Sequence, residues 1–304
     1  MSAAAITPDW IAVDRGADRL RVWAMQGATR LAQVQADADI NPHAPDGFDQ
    51  ILRAATAGWT IAAGTPVVAC GIAQSPQGRA EAPFRAVPCA PLGDPGAVAP
   101  TAGGWRVRII PGLSQSTPPD VMQGDETRIA GFMSLNPGWD GVVCLPGTHS
   151  RWAHVSAGEV VSFQTFMTGE LLALLATQSV LRTTVTGGDA GAETDAFDSG
   201  LADAMARPER LAARLFGLHA ADLLEGTRAD AARSRLSGLL IGAELGAAKP
   251  YWLGQDIAIL GAAEPARLYA RALRTQGVPA TVADPDRMTL AGLTAAYRAM
   301  TPAT

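Results

Sequence analysis

A short turn in the second half of the chain gathers small and hydroxyl-bearing residues in one place. Residues 141–152 read GVVCLPGTHSRW, an apolar run followed by Pro146–Ser150 and then by alternating polarity. This pattern predicts a buried strand, a tight turn and a second strand. Backbone N–H groups and hydroxyls at such a turn can bind an anion such as phosphate, which makes Gly147, Thr148 and Ser150 candidate phosphate contacts. An ordinary hairpin turn is the alternative interpretation.

A second hairpin of similar design lies near the N-terminus and carries an acid in place of the hydroxyls. An apolar strand over Trp10–Val13 ends at Asp14, and after a turn Arg19–Met25 alternates polar with apolar residues. A third strand extends each hairpin, at Leu31–Ala36 in the first half and at Val160–Phe166 in the second. The repeat predicts two α/β domains that face each other across a cleft, with the phosphates of a nucleotide between the two turns.

The composition is that of an ordinary globular protein of 304 residues, 48% hydrophobic and 17% charged. The formal net charge of −5 argues against a nucleic-acid surface, because such surfaces carry a basic stripe. Cys70, Cys89 and Cys144 are widely spaced and form no CxxC pair, so neither a disulfide framework nor a zinc site is indicated. We see no signal-peptide pattern and no apolar run long enough for a membrane span, so a soluble cytoplasmic protein is expected.

Helical and strand patterns continue through the rest of the chain, with one strong break near its middle. Asn136-Pro137-Gly138 ends a predicted helix, and we place the domain boundary there, between domains 1–137 and 138–304. Residues 82–104 should be irregular. The further elements predicted in the first half are a helix at Gly47–Trp59, strands at Pro66–Cys70 and Trp105–Ile110, and a polar stretch at Ser114–Asp125 before a helix at Glu126–Leu135. In the second half we predict a helix from Thr168, a flexible loop at Thr183–Gly191 and nearly continuous helix over Asp195–Ala248, with breaks near Pro208, Gly217 and Gly226. The last predicted elements are strands at Asp256–Leu260 and Pro279–Val282, a helix that ends at Arg274 and a helix over Met288–Met300.

These motifs give the chain a family likeness. It resembles the 2-dehydro-3-deoxygalactonokinases, sugar-acid kinases of the actin-like, hexokinase and heat-shock-ATPase superfamily. The most specific match is CLPGTHSRW at Cys144–Trp152 followed by FMTGELLALL at Phe166–Leu175. The other matches, which with these span nearly the whole chain in order, are IAVDRG at Ile11–Gly16, CGIAQSPQGRAEAPF at Cys70–Phe84, PDVMQGDET at Pro119–Thr127, LSGLLIGAEL at Leu236–Leu245 and LGAAEPARLYARAL at Leu260–Leu273.

The resemblance implies an α/β fold of two ribonuclease-H-like domains, as in actin-like ATPases, that face a central cleft. It makes 1–137 the sugar-kinase domain and 138–304 the nucleotide-binding and helical domain. The implied reaction is ATP-dependent phosphorylation of 2-dehydro-3-deoxy-D-galactonate at its C6 hydroxyl, in galactonate breakdown. ATP and Mg²⁺ are the implied cofactors, and the sugar acid and the nucleotide are the partners. The apolar helices of the second half could also form a homodimer face.

The nucleotide and its metal are assigned to the two turns and to the strand that ends at Gly261. Asp14 is the candidate for holding Mg²⁺, through water, because it lies at a strand end beside the first turn. Gly261 would lie against the adenine or the ribose. The other nucleotide-binding candidates are Gly16, Gly147, Thr148 and Ser150.

The general base is expected in the polar segment that precedes the helix at Glu126. Phosphoryl transfer needs an acceptor for the hydroxyl proton, and Glu126 or Asp125 is favoured, with Asp120 a weaker choice. A helix cap is the alternative role for Asp125. Arginine suits an anionic substrate because it binds carboxylates bidentately, and Arg79 and Arg151 lie in the matched motifs. The substrate-binding candidates are Arg21, Ser75, Gln77, Glu81 and Arg128.

The first turn departs from the family pattern, which usually reads aspartate, aromatic, glycine, threonine, threonine. Here Asp14–Asp18 reads DRGAD, so both hydroxyls are missing and the carboxylate of Asp18 adds a negative charge where a triphosphate should approach. Two like charges about 4 Å apart repel by roughly 4 kcal/mol at an effective dielectric of 20. Two other functions therefore stay open: a relative that binds a sugar acid or nucleotide without turnover, and a polyphosphate-hydrolysing member of the superfamily.

Overall fold

The computed structural model describes residues 6–16, 19–37, 47–72, 83–93, 99–100 and 105–300. The strands are β1 (Trp10–Arg15), β2 (Arg19–Gln26), β3 (Thr29–Asp37), β4 (Pro66–Cys70), β5 (Arg85–Ala86), β6 (Ala99–Pro100), β7 (Arg106–Ile109), β8 (Leu113–Ser116), β9 (Pro119–Met122), β10 (Gly141–Leu145), β11 (Ser150–Ser156), β12 (Glu159–Phe166), β13 (Ile257–Leu260) and β14 (Ala280–Ala283). The helices are α1 (Gly47–Ala55), α2 (Asp125–Leu135), α3 (Thr168–Gln178), α4 (Arg182–Val185), α5 (Thr194–Ala206), α6 (Leu211–Glu225), α7 (Ala229–Ala247), α8 (Lys249–Trp252), α9 (Ala263–Thr275) and α10 (Pro285–Met300).

The first half forms a mixed sheet with the strand order β3-β2-β1-β4-β7-β6. Strands β1, β4 and β7 run parallel, while β2 and β3 complete an antiparallel meander with β1. Both faces of β1 are buried: Ile11 and Val13 pack in one core cluster, and Trp10 and Ala12 in another. A strand covered on both sides reads as a continuous apolar run, which is why WIAV was recognisable in the sequence.

The second half repeats this plan in a sheet of order β12-β11-β10-β13-β14. Here β10, β11 and β12 form the antiparallel meander, and β10, β13 and β14 run parallel. Since the carboxyl ends of parallel strands lie at one edge of a sheet, the turn after β10 and Gly261 after β13 share an edge. The predicted duplicated α/β architecture is confirmed.

Four local predictions differ from the structure. The polar stretch Ser114–Asp125 contains the hairpin of β8 and β9, and the region predicted to be irregular contains β5. Thr183–Gly191, predicted to be a flexible loop, begins within α4. Helix α6 continues through Gly217, because a single helical glycine costs only about 1 kcal/mol and packing outweighs it.

The residue contacts divide the chain into two units. The first comprises the described parts of Met1–Trp139, Ala157–Val161 and Pro285–Thr304, and the second comprises Asp140–Ser156 and Ser162–Asp284. The last helix therefore belongs to the first unit and not to the predicted domain 138–304. Within that unit, Tyr297 of α10 stacks on the fully buried Trp10 of β1 at 4.4 Å between ring centroids.

No helix in the described part of the chain is both long enough and apolar enough to cross a membrane.

Candidate active site

Charged side chains converge in the first unit where β1 ends and α2 begins. We call Asp14, Arg21, Asp125, Arg128 and Asp286 the charged cluster. Arg21 lies directly opposite Asp14 on the neighbouring strand β2, and its guanidinium bridges Asp14 and Asp286. Arg128, one turn into α2, donates from Nη1 to Asp125 Oδ1 at 2.8 Å. Its Nη2 lies 3.8 Å from Asp14 Oδ2, so the two arginines and three carboxylates form one connected set.

The start of α2 is brought against the strand ends by a glycine in a left-handed conformation. Gly124, which precedes the helix, has φ of 93°, a value that residues with side chains rarely adopt. A Cβ at this position would lie 3.3 Å from the Cα of Gly71, which follows β4, and 4.0 Å from Asp14 Oδ1. The QGDET motif therefore places Asp125 and Glu126 beside Asp14 by close backbone approach.

Asp14 is 1% exposed, and both of its carboxylate oxygens have partners. Oδ2 is paired with Arg21, and Oδ1 accepts a weak hydrogen bond from the Cys70 thiol at 3.4 Å. Burial and the negative charge of Asp14 raise the pKa of this thiol, so it stays a neutral donor. The described residues contain no group of three side chains suited to a metal ion. Asp14 pairs with Arg21, accepts from the Cys70 thiol and lies 3.8 Å from Arg128, and its role in holding Mg²⁺ through water stays a prediction.

The two candidate bases, Asp125 and Glu126, have opposite environments. Glu126 is fully buried; its Oε1 accepts the Thr127 hydroxyl at 3.0 Å, while its Oε2 has no hydrogen-bond partner among the described residues. Burial raises the pKa of Glu126 from 4.5 to about 8, so the side chain is mostly protonated at neutral pH. Asp125 forms an ion pair with the Arg128 guanidinium instead. Of the two, Asp125 is therefore the better candidate for the base, because a protonated Glu126 cannot accept a proton.

In the second unit, the exposed turn Gly147–His149 lies against the start of α3. A Cβ on Gly169 would lie 2.2 Å from the Gly147 carbonyl oxygen, so only glycine permits this approach. The Glu170 N–H donates to the Thr148 carbonyl at 2.8 Å. An exposed turn at the N-terminus of an 11-residue helix is a favourable place for an anion, as predicted for Gly147 and Thr148.

The prediction that the Ser150 hydroxyl contacts phosphate conflicts with the structure. Ser150 is fully buried, and its hydroxyl donates to Glu244 Oε2 at 2.6 Å. Glu244 also accepts from the Tyr269 hydroxyl at 2.6 Å and from the Trp152 indole N–H at 2.8 Å. Three donors satisfy the buried carboxylate of Glu244. The Ser150 hydroxyl therefore ties the end of the turn to the protein interior and does not face a ligand.

Gly261 shares an edge with the turn but presents little surface to a ligand. It is buried, and a Cβ there would lie 3.0 Å from Pro146 Cδ. Gly261 thus lets Pro146 and the end of β13 pack closely, and the exposed part of this edge is Ala262–Glu264. Its contact with adenine or ribose stays a prediction.

Several predicted site residues lie outside the described residues. The substrate-side candidates among them are Ser75, Gln77, Arg79 and Glu81, and Ala17 and Asp18 of the altered first turn also lie outside. Gly16 is described and directly follows β1. Of the predicted substrate-binding residues, the structure therefore brings together Arg21 and Arg128.

Sequence reasoning missed Glu244, Asp286 and Thr289. Glu244 stands alone among apolar and small residues in LSGLLIGAEL, a pattern that indicates a buried carboxylate with specific partners. Asp286 follows the first residue of a helix, where an acid is common, so its sequence context gave no signal for a contact with β2.

Comparison with known proteins gives matches over nearly the whole chain. The family model described as 2-keto-3-deoxy-galactonokinase matches residues 14–296. "Probable 2-dehydro-3-deoxygalactonokinase DgoK1" of Rhizobium meliloti is 35% identical, with 96% of this chain and 98% of the relative covered. The 2-dehydro-3-deoxygalactonokinase of Escherichia coli is 31% identical, with 95% and 97% covered.

Solved structures support the same family and its fold. A Sinorhizobium meliloti crystal structure assigned as a 2-dehydro-3-deoxygalactonokinase superposes with a TM-score of 0.88 at 34% identity, covering 97% of this chain and all of that one. Component A of the (R)-2-hydroxyglutaryl-CoA dehydratase of Acidaminococcus fermentans shares the fold alone, with a TM-score of 0.52 at 14% identity and coverage of 95% and 98%. The predicted actin-like, two-domain α/β class is confirmed, and the chain belongs to the 2-keto-3-deoxy-galactonokinase family of carbohydrate kinases.

Proposed function

We propose that this kinase transfers the γ-phosphoryl group of ATP to the C6 hydroxyl of 2-dehydro-3-deoxy-D-galactonate, with Asp125 as the general base. The observation that carries the proposal is the pairing of Asp125 with Arg128 beside Asp14, at the start of α2. The substrate class comes from the relatives, since two of them carry the 2-dehydro-3-deoxygalactonokinase name over nearly the whole chain.

Asp125 would take the proton of the attacking hydroxyl. As the hydroxyl oxygen forms its bond to the γ-phosphorus, the bond to the β-phosphate oxygen breaks, ADP leaves, and the proton passes to the Asp125 carboxylate. Arg128, whose side chain is 21% exposed, orients that carboxylate through the ion pair between them. Glu126 stays protonated next to it, because burial raises the pKa of Glu126 and the charge of Asp125 adds to this rise.

Arg21 and Arg128 supply the positive charge for an anionic substrate. Both guanidiniums already contact carboxylates of the charged cluster. The carboxylate of the sugar acid would therefore share the N–H donors of these two arginines with the aspartates of the cluster. In the second unit, the backbone N–H groups of Gly147 and Thr148 would bind the nucleotide phosphates together with the N-terminus of α3.

The test is a coupled assay for ADP with purified protein, MgATP and 2-dehydro-3-deoxygalactonate. Asp125→Asn should lower kcat by about 10²–10⁴-fold, the usual contribution of a general base. Glu126→Gln is the matched control, since an amide resembles the protonated acid, and it should retain most of the activity. The position of the phosphoryl group in the product is read by phosphorus–proton correlation NMR.

Two results would overturn the proposal. Wild-type protein that forms no ADP, while calorimetry detects a bound sugar acid or nucleotide, would favour a binding protein without turnover. A Glu126→Gln variant more impaired than Asp125→Asn would assign the base to Glu126.

A further inference from the structure

Helix α10 contacts α2 through the backbone, without intervening side chains. A Cβ on Gly131 of α2 would lie 1.8 Å from the Met288 carbonyl oxygen, and one on Gly292 of α10 would lie 2.0 Å from the Thr127 carbonyl oxygen. Glycines on both helices therefore allow the two axes to approach closely. This crossing brings the first turns of α10 to the charged cluster.

Two residues of α10 contact the two arginines of the cluster. Asp286 pairs with the Arg21 guanidinium, which also holds Asp14. Thr289 accepts a hydrogen bond from Arg128 Nε at 3.2 Å, while its own hydroxyl proton goes to the Pro285 carbonyl at 2.8 Å. Each arginine therefore has one partner on α10 and at least one carboxylate partner within the site.

The planar guanidinium of Arg128 is fixed from three sides. Nε is bound by Thr289, Nη1 by Asp125, and Nη2 faces Asp14 at 3.8 Å. Without the Thr289 oxygen, the plane can rotate about the last bonds of the side chain, and the Asp125 carboxylate loses its fixed donor. Thr289 is fully buried, so it acts on the site only through Arg128.

We propose that α10 is a positioning element of the sugar-acid site: Thr289 orients Arg128, and through it Asp125, while Asp286 orients Arg21. This role rests on the proposed function, since it concerns the residues assigned there to the base and to the anionic substrate. It predicts that the far end of the chain sets the affinity for the sugar acid without touching it.

Thr289→Val removes the acceptor, and Thr294→Val is the matched control. Both threonines lie on α10, both are buried, and both donate to the carbonyl four residues earlier, Thr294 to Leu290 at 2.7 Å. Only Thr289 has an arginine partner among these contacts. Thr289→Val should raise the KM for the sugar acid about tenfold, as expected for one hydrogen bond to a charged group, with the KM for ATP unchanged. Thr294→Val should stay within about twofold of wild type, and Thr289→Ser should restore the wild-type KM.

KM is the informative quantity because it does not depend on the fraction of protein that is folded. Asp286→Asn should also raise the KM for the sugar acid, whereas Asp195→Asn, which removes an exposed first-turn carboxylate of α5, should leave it unchanged. Equal effects of Thr289→Val and Thr294→Val, or no rescue by serine, would overturn the inference.

A readout independent of turnover separates this inference from the proposed function. In ¹⁵N–¹H NMR spectra, the Arg128 Nε–H signal, assigned by its loss in Arg128→Lys, should be protected from exchange in wild type, Thr294→Val and Thr289→Ser and lost in Thr289→Val. An inactive wild type with this pattern would refute the proposed function and leave the positioning contact intact. Protection unchanged in Thr289→Val would refute the positioning contact itself.

Discussion

At the scale of single residues, Asp125 and Glu126 show how neighbours in sequence can differ in chemistry. Asp125 is paired with Arg128, whereas Glu126 accepts a hydrogen bond from the Thr127 hydroxyl and is wholly desolvated. The sequence predicted a base in this segment but left the choice between the two residues open. Neither the ion pair of Asp125 nor the burial of Glu126 could be predicted from the letters GDET, because both depend on how Gly124 brings the helix against Asp14.

Glu126→Gln should remove a pH-dependent part of the stability. Because burial raises the pKa of Glu126 from 4.5 in the unfolded chain to about 8 in the fold, the unfolded chain binds fewer protons than the folded chain between these values. The free energy of unfolding therefore falls as pH rises through this window, by several kcal/mol at about 1.4 kcal/mol per pKa unit. The stabilising contribution is fully present below about pH 4.5 and lost by about pH 8.

Urea unfolding at about pH 5 and about pH 8 measures this effect. The Gln variant should lose less stability than wild type between the two conditions. Glu159→Gln, at an exposed carboxylate, should retain the wild-type pH dependence. If the free energy of unfolding changed equally with pH in wild type and in Glu126→Gln, Glu126 would be ionised in the folded protein.

In the second unit, the sequence predicted the turn that contains Ser150 but not the orientation of the Ser150 hydroxyl. The GTHS pattern correctly located the turn, and the exposed Gly147 and Thr148 keep their predicted role as a proposal. The hydroxyl of Ser150 faces inward because its partner, Glu244, lies 94 positions later in the chain. A hydroxyl reads the same in sequence whether it faces a ligand or a buried carboxylate.

At the scale of elements, α3 and the turn after β10 behave as one structure. Gly169→Ala would place a methyl group 2.2 Å from the Gly147 carbonyl oxygen, so the turn or the helix must move. We expect the KM for ATP to rise about tenfold or more, with a smaller effect on the KM for the sugar acid.

Gly217→Ala on α6 is the control for Gly169→Ala. Nothing lies within 4 Å of a Cβ at Gly217, and its φ is not positive, so alanine should raise the stability by about 0.5–1 kcal/mol and leave both KM values unchanged. Steady-state kinetics with each substrate varied in turn, and urea unfolding, measure the two effects. An unaltered KM for ATP in Gly169→Ala would remove this turn from the nucleotide site.

Predictions of elements succeeded where burial imposes a clear period. The apolar runs of β1, β4 and β10 and the spacing in α1 predicted those elements correctly, because strands buried on both faces and amphipathic helices leave strong patterns. The hairpin of β8 and β9 was missed, since SQSTPPDVM is polar and contains two prolines. Such a hairpin depends on partners such as β5 more than on its own composition.

At the scale of the whole molecule, the first unit is discontinuous in sequence. It needs Pro285–Thr304, whose helix packs on α2 and contributes Leu293 and Ala296 to the same core cluster as Trp10 and Trp23. Sequence patterns predicted α10 as a helix but not its place, because the sheet that a helix covers is fixed by tertiary contacts and not by its period.

Removal of residues 285–304 should therefore unfold the first unit while the second remains folded. Limited proteolysis of the truncated chain should leave a resistant fragment of about residues 140–284 and degrade the N-terminal half, since exposed Trp10 and Trp23 cannot be reburied. Co-expression of the missing segment should restore protection. A truncated chain whose N-terminal half resists proteolysis like wild type would show that α10 is dispensable to that unit.

The return of the chain to its first sheet has a consequence for folding during synthesis. The face that carries Trp10, Trp23 and Met25 is made early, yet its cover arrives with the last residues of the chain. At about 5–20 residues per second, the ribosome needs several seconds or more to make the intervening 140–284, during which that apolar face lacks its partner helix. The second unit, contiguous except for residues 157–161, can complete its core first. The nascent chain is thus most exposed to aggregation and to chaperones in the part that was translated first.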